Sequence, residues 1–356
     1  MNARAHNARA SKPRAPNAWA PAFEMQANAC RALGSELTAR ICDAMCRVIA
    51  ADDGPVARSV RDWPGDPTYR GDSVPLRLCG ALQGLVLTDR VAALSADPAV
   101  SLDDRIAGIL HAHEGWFLDW LDRPPQTNEV GRSAVLIAGA RFLAGLSSAR
   151  FDLYELGGSA GLNLNFPRYL LDPDDEDADS SDIVILRPTW RSGRPKARAL
   201  PTGAARGVDL NPLDPNRDGL RLMSYIWPDQ PERLERMRAA LRVAARHPPQ
   251  VDRDEAAPWL EAQLAPPPVH GRLVYHTVAA QYFPPETRAR VEAALQSAGA
   301  RATANHPLAH LSMESDTGND MALDLRLWDD RGVRTWRLGR SQAHGRWIDW
   351  QPKEIG

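Results

Sequence analysis

Apolar positions follow two regimes along the chain. From Phe23 to about Leu121 they recur at helical spacing. Phe23, Ala27, Cys30 and Leu33 share one face, and Leu37, Ile41, Met45 and Val48 share the next. Gly34-Ser35 separates these two helices, and Ser35 is placed to cap the second. Residues 52–74, rich in Asp, Gly and Pro, read as loop. Helices are expected at about 75–88, 89–96 and 102–122. The last opens at Ser101, with Asp103 and Asp104 where the macrodipole favours acids. No strand pattern occurs in this first third. Pro124-Pro125 ends it, a helix is expected over 133–146, and the regime then changes. Phe151–Glu155 alternates as a buried strand does, and Leu273–Phe283 and His306–Glu314 read as further strands. Ile183–Leu186 is expected to be a short strand of an inserted hairpin. Leu323–Trp328 and Val333–Leu338 form an expected antiparallel pair joined at Asp329–Gly332. Helical stretches at 217–226, 231–246, 258–264 and 285–299 lie between the strands. The alternation predicts an α/β fold with a doubly wound, mainly parallel sheet behind an all-helical domain.

The turn after the first strand carries the chemistry. Glu155 ends the polar alternation, and Gly157, Gly158, Ser159, Ala160 and Gly161 follow, all small enough for close approach of a ligand to the backbone. In open α/β sheets ligands bind at the carboxyl ends of the strands. The spacing Glu155-x-Gly157-x-Ser159-x-Gly161 resembles the first motif of class I S-adenosylmethionine-dependent methyltransferases, with Ser159 at the middle glycine. That resemblance implies a Rossmann-like, methyltransferase-like sheet and S-adenosylmethionine as cofactor, with Glu155 and the 157–161 loop beside its methionine part. Asp209 ends a Val-Asp strand signature. An acid there hydrogen-bonds ribose hydroxyls in nucleotide-binding folds, although it stands farther from Gly161 than the usual ~20 residues. An insertion over about 168–205, which includes the acidic run Asp172–Asp182, accounts for the excess. Asp254 resembles the acid of the third methyltransferase motif, which accepts the adenine amino group. It reads equally well as an exposed turn and helix cap.

Further candidates surround this core. Thr127 or Asn128 either caps the following helix, or Asn128, Glu129 and Arg132 place polar groups beside Gly157, and both readings stand. His276, Thr277, Gln281 and Tyr282 lie on the strand that should end at the crevice and are expected to face the site. His276, Tyr282 and Glu314 are the candidates for moving a proton, with a satisfied core histidine as the rival reading of His276. His111, His113 and Glu114 lack the His-Glu-x-x-His spacing, and residues two apart do not share a helix face, so no metal is expected. Cys42 and Cys46 fall one turn apart and are read as core packing.

The 356 residues are expected to divide into a disordered tail (1–21), a helical domain (22–125) and the α/β domain (126–356). A formal charge of −2 gives no electrostatic case for nucleic acid or an anionic membrane. No run of 18 apolar residues and no signal-peptide core occurs, so a cytoplasmic location is expected. The motifs Gln126–Arg132, Glu155–Leu164, Gly207–Pro215, Ile226–Arg233 and His344–Trp347 together resemble the bacterial family known as domain of unknown function 2332. The expectation is a methyltransferase acting on a small molecule. The alternative is a Rossmann-like protein that binds another ligand or serves as a non-catalytic interaction module.

Overall fold

The computed structural model describes residues 19–95, 97, 99–172, 183–318 and 320–356. The chain divides into two compact units. One holds the described residues up to Thr127 together with Leu220–Leu234, and the other holds Asn128–Gly219 and Glu235–Gly356. Residues 220–234, which the sequence pattern places within the α/β segment, therefore belong to the helical unit. The expected tail of residues 1–21 lies outside the described residues as far as 18, and α1 begins at Trp19.

The helical unit contains α1 (Trp19–Ala32), α2 (Glu36–Ala51), α3 (Pro55–Arg61), α4 (Val74–Leu87), α5 (Asp103–Ala112) and α6 (Glu114–Leu121). Helix α3 forms inside the stretch read as loop, because Pro55 suits a first turn and Val56, Ala57 and Val60 bury against the core. Residues 89–95 are not helical. Asp89 takes a left-handed φ of 54° and ends α4. The expected long helix over 102–122 breaks at His113, whose φ of −128° is not helical. Ser35 caps α2, accepting from the Thr38 amide, and its hydroxyl also donates to Asp229. That bond ties the 220–234 stretch to α2, and Tyr225 completes the same core.

The second unit contains α7 (Ser133–Leu143), then β1 (Phe151–Leu156), β2 (Leu170–Leu171), β3 (Ile185–Leu186), β4 (Thr189–Trp190) and β5 (Thr202–Asp209). The chain continues through α8 (Pro215–Ser224), α9 (Pro231–Arg246), β6 (Val251–Arg253), α10 (Ala256–Leu264), β7 (Gly271–Thr277) and α11 (Pro285–Gly299). It closes with β8 (Leu308–Ser315), β9 (Met321–Asp329), β10 (Gly332–Ser341) and β11 (Trp347–Glu354). The nine-stranded sheet runs β4-β11-β10-β9-β8-β7-β1-β5-β6. Strands β6, β5, β1, β7 and β8 are parallel, and β9, β10 and β11 continue the sheet antiparallel. The fold is thus mixed α/β, with a mainly parallel sheet and an antiparallel C-terminal part.

Three details are not contained in the sequence pattern. The expected hairpin in the insertion is instead a parallel pair of β2 and β3, and its acidic run lies outside the described residues from Pro173 to Asp182. The segment after the glycine loop is a 3-10 turn, Leu162–Arg168, that contains Pro167. The final Trp347–Glu354 stretch is a full strand paired with β10. Helices α10 and α11 cover one face of the sheet over Leu156, Val208, Val274 and Leu308. On the opposite face α7 packs against β8, where a side chain at Gly139 would collide with Leu311. Among the described residues no helix is long and apolar enough to cross a membrane.

Replacing Ser35 with alanine removes its cap on α2 and one of the bonds to Asp229, which keeps the Leu37 amide. Urea denaturation should show a loss of about 1–2 kcal/mol, and an unchanged midpoint would contradict this account of the cap.

Candidate functional site

Strand β1 lies between β5 and β7, so its carboxyl end opens at the centre of the parallel part of the sheet. There the backbone turns through three left-handed residues: Gly157 (φ 73°), Ser159 (φ 52°) and Gly161 (φ 70°). Gly157 and Gly161 are also required by space. A Cβ on the first would lie 2.7 Å from the Ala279 methyl, and one on the second 2.7 Å from Pro249 and Val251. Ser159 adopts the same conformation without that freedom, at a cost of roughly 1–2 kcal/mol, and its buried hydroxyl has no hydrogen-bond partner.

The hydrogen bonds around the loop explain how it holds. Gly157 and Gly158 both donate to the Val208 carbonyl, at 2.9 and 3.0 Å. The Ser159 amide donates to Asp209 Oδ2 at 2.9 Å, while Asp209 Oδ1 accepts from the Asn211 amide at 2.9 Å. Gly161 donates to the Gly158 carbonyl, and the Leu162 amide donates to Asn128 Oδ1 at 2.9 Å. The half-buried Asp209 is therefore brought directly against the loop. Asn128 caps the turn after the loop rather than the helix that follows it in sequence.

Asn128, Glu129 and Arg132 form the second wall. Glu129 Oε1 accepts from the Gly131 amide at 2.9 Å and lies 3.6 Å from the Arg236 guanidinium. Arg132 donates to the Thr277 carbonyl at the end of β7 and to the Ala343 carbonyl before β11. Gly131 and Gly345 cross so closely that a side chain on either would strike the other's backbone segment. The Gln126–Arg132 and His344–Trp347 motifs are in this way one structural element.

Glu155 sits beneath the loop, 2% exposed, with Oε2 unpartnered. Burial, reinforced by the Asp209 charge and only partly opposed by Arg132, pushes its carboxyl pKa well above the usual range. Asp254 is exposed past the end of β6; its carboxylate accepts from the Glu255 amide, and its own amide reaches the Asp209 carbonyl at 3.2 Å. Gln281 and Tyr282 are exposed on the 3-10 turn after β7. The turn begins at Val278, a β-branched residue held at φ 53°.

His276 takes part in a wire that the sequence did not show. Its Nδ1 lies 2.7 Å from Glu314 Oε1, and its Nε2 lies 3.0 Å from His310 Nε2. Arg326 lies 3.0 Å from His310 Nδ1 and pairs with Glu292 on α11 through two 2.6 Å bonds. Arginine only donates, so His310 Nδ1 accepts and His310 Nε2 carries the hydrogen. His276 Nε2 then accepts, and His276 Nδ1 donates to Glu314. One added proton sets two N–H groups face to face. Burial first, then His276 and Arg326, push the His310 pKa well below its usual value. Glu314 Oε1 also gathers the Ala279 and Ala280 amides, which fixes the turn beside Gly157. Burial raises the Glu314 pKa, but the His276 hydrogen bond first and these two amides after it outweigh burial and hold it down. Among the described residues no group of three or more metal-capable side chains occurs.

The structure thus brings together the glycine loop, Asp209, Asn128, Glu129 and Arg132, with Glu155 below them and the Glu314-anchored turn beside them. Asp254, Gln281 and Tyr282 lie on the exposed rim of the same unit. The fold defines a mixed α/β protein with a hydrogen-bonded loop at the carboxyl end of β1, in the parallel part of the sheet. Residues 20–350 match the family described as uncharacterized protein conserved in bacteria (DUF2332), and the chain belongs to that family. No curated protein and no solved structure matches it.

Two pH dependences follow. With Glu155 protonated in the fold and ionised in the unfolded chain, stability falls as pH rises above about 4.5. The advantage of Glu155→Gln over the native chain in melting temperature should therefore widen from pH 4.5 to 8; a constant difference would refute the buried neutral acid. His310 has the opposite dependence, because the unfolded chain takes up the proton that the fold refuses. The urea midpoint should drop between about pH 6.5 and 5, with a flatter slope in His310→Gln. Equal slopes would remove the wire from the account.

Proposed function

We propose that this protein binds S-adenosylmethionine at the carboxyl end of β1 and acts as a methyltransferase on a small molecule. The observation that carries the reading is the hydrogen bond from the Ser159 amide to Asp209. It joins the glycine loop of the central strand to the acid that ends the neighbouring parallel strand. The order β6-β5-β1-β7-β8 supports the same reading, because it is the order of the first five strands of a Rossmann-like doubly wound sheet.

The loop chemistry favours a nucleoside over a dinucleotide. A pyrophosphate is held by loop amides at a helix N-terminus. Here the amides of Gly157, Gly158, Ser159, Gly161 and Leu162 are engaged inside the protein, and a 3-10 turn follows. Asp209 accepts one bond on each oxygen, and a carboxylate has about four acceptor positions, so capacity for ribose hydroxyls remains. Leu210, 63% exposed, offers an apolar surface beside it for a purine, and Asp254 stands on the rim to accept an amino group. Gly157 and its neighbours would border the methionine part, with neutral Glu155 supporting the loop from below.

The cofactor supplies a methyl group already activated by its sulfonium charge, so the protein chiefly positions the substrate and excludes water. His276 has both ring nitrogens engaged, and Glu314 is committed to His276 and two amides. Tyr282, 75% exposed, is the most open of the three residues considered for proton transfer. The strained Ser159 favours the second reading, a Rossmann-like protein that serves another ligand or acts as an interaction module.

Isothermal calorimetry with S-adenosylmethionine and its demethylated product separates the two. Saturable binding is expected, and Asp209→Ala should weaken it roughly tenfold or more. Folded protein that binds neither compound would end the methyltransferase reading.

A further inference from the structure

The four cysteines all lie in the helical unit as free thiols. Cys42 on α2 is fully buried, and its sulfur lies 3.6 Å from that of Cys79 on α4. Cys42 also hydrogen-bonds Cys30 on α1. Cys79 is only partly buried and lines an apolar cavity with Thr38, Ile41, Gln83, Tyr225 and Trp227. That cavity has a volume of about 40 Å³, above the ~10–15 Å³ that one water needs. It admits a molecule the size of hydrogen peroxide.

We propose that Cys79 and Cys42 form a peroxide-sensitive dithiol that closes reversibly to a disulfide between α2 and α4. The Cys79 sulfur attacks one oxygen of hydrogen peroxide and the O–O bond breaks. Cys79 becomes a sulfenic acid, and the departing hydroxide takes the thiol proton as water. The Cys42 sulfur then attacks the Cys79 sulfur. The S–O bond breaks, the S–S bond forms, and the Cys42 proton leaves with the hydroxide as a second water. The two thiols give up two electrons in total, and the peroxide accepts them. Closing the 3.6 Å gap to an S–S bond of ~2.05 Å takes a shift of about 1.5 Å. Hydrogen bonding to Cys30 and to Cys79, and then burial, raise the Cys42 thiol pKa, so this residue acts second. A thiol reductant restores both groups.

The test treats the full-length protein with hydrogen peroxide and follows it by thiol titration and non-reducing peptide mass spectrometry. Two of the four thiols should be lost, a Cys42–Cys79 linked peptide should be found, and dithiothreitol should reverse both. In Cys42→Ala, dimedone should trap a sulfenic acid on Cys79. The proposal is overturned by folded protein that keeps all four thiols under peroxide, or by a Cys30–Cys42 link. The absence of a dimedone adduct on Cys79 in Cys42→Ala also overturns it.

Discussion

The carboxylate of Asp209 holds the Ser159 amide, and the shape of the site depends on that bond. Three residues within five positions take left-handed backbone angles, one of them without the freedom of glycine. Such a turn persists only when its surroundings over-determine it. Here they do so from three directions: the Val208 carbonyl takes two amides, Asp209 takes a third, and Asn128 takes the Leu162 amide beyond the loop. A hydrogen bond to a charged group contributes roughly 1.5–3 kcal/mol, enough to offset the ~1–2 kcal/mol cost of a left-handed serine. The same bond fixes β5's terminal acid at the mouth of β1, so local strain and functional geometry have one cause.

Buried polar groups on either side of the sheet reinforce this point. Glu155 lies under the loop as a neutral acid, kept so by burial and by Asp209. On the α11 side, the wire from Glu292 to Glu314 crosses β9, β8 and β7 and ends at the Ala279 and Ala280 amides. That turn abuts Gly157, where there is no room for a side chain. The loop is therefore pressed between the buried Glu155, whose carboxyl pKa is pushed up, and the turn that Glu314 anchors.

Much of this was legible in the sequence where the signal is local. The glycine loop, the strand that precedes it, the acid at Asp209 and the cap at Ser35 each follow from a few adjacent residues. The parallel core and the antiparallel end were likewise readable from period-two stretches. What depends on distant partners was not readable. His310 occupies an ordinary inward position on β8, and nothing in its neighbourhood announces His276 or Arg326. The packing of 220–234 with the helical unit rests on Asp229 and Tyr225, which look like turn and helix residues in isolation. Asn128 could be read as a helix cap because its actual partner, Leu162, is 34 positions away. The break at His113 and the helix at Pro55 show tertiary packing overriding local composition.

Amide hydrogen exchange at Ser159 and Leu162, read residue by residue by NMR, tests the central claim most directly. If Asp209 and Asn128 hold these groups, both should exchange as slowly as the amides of β1, and Asp209→Ala should release Ser159 while leaving β1 protected. Exchange at Ser159 in the native chain as fast as at exposed Leu210 would contradict the account.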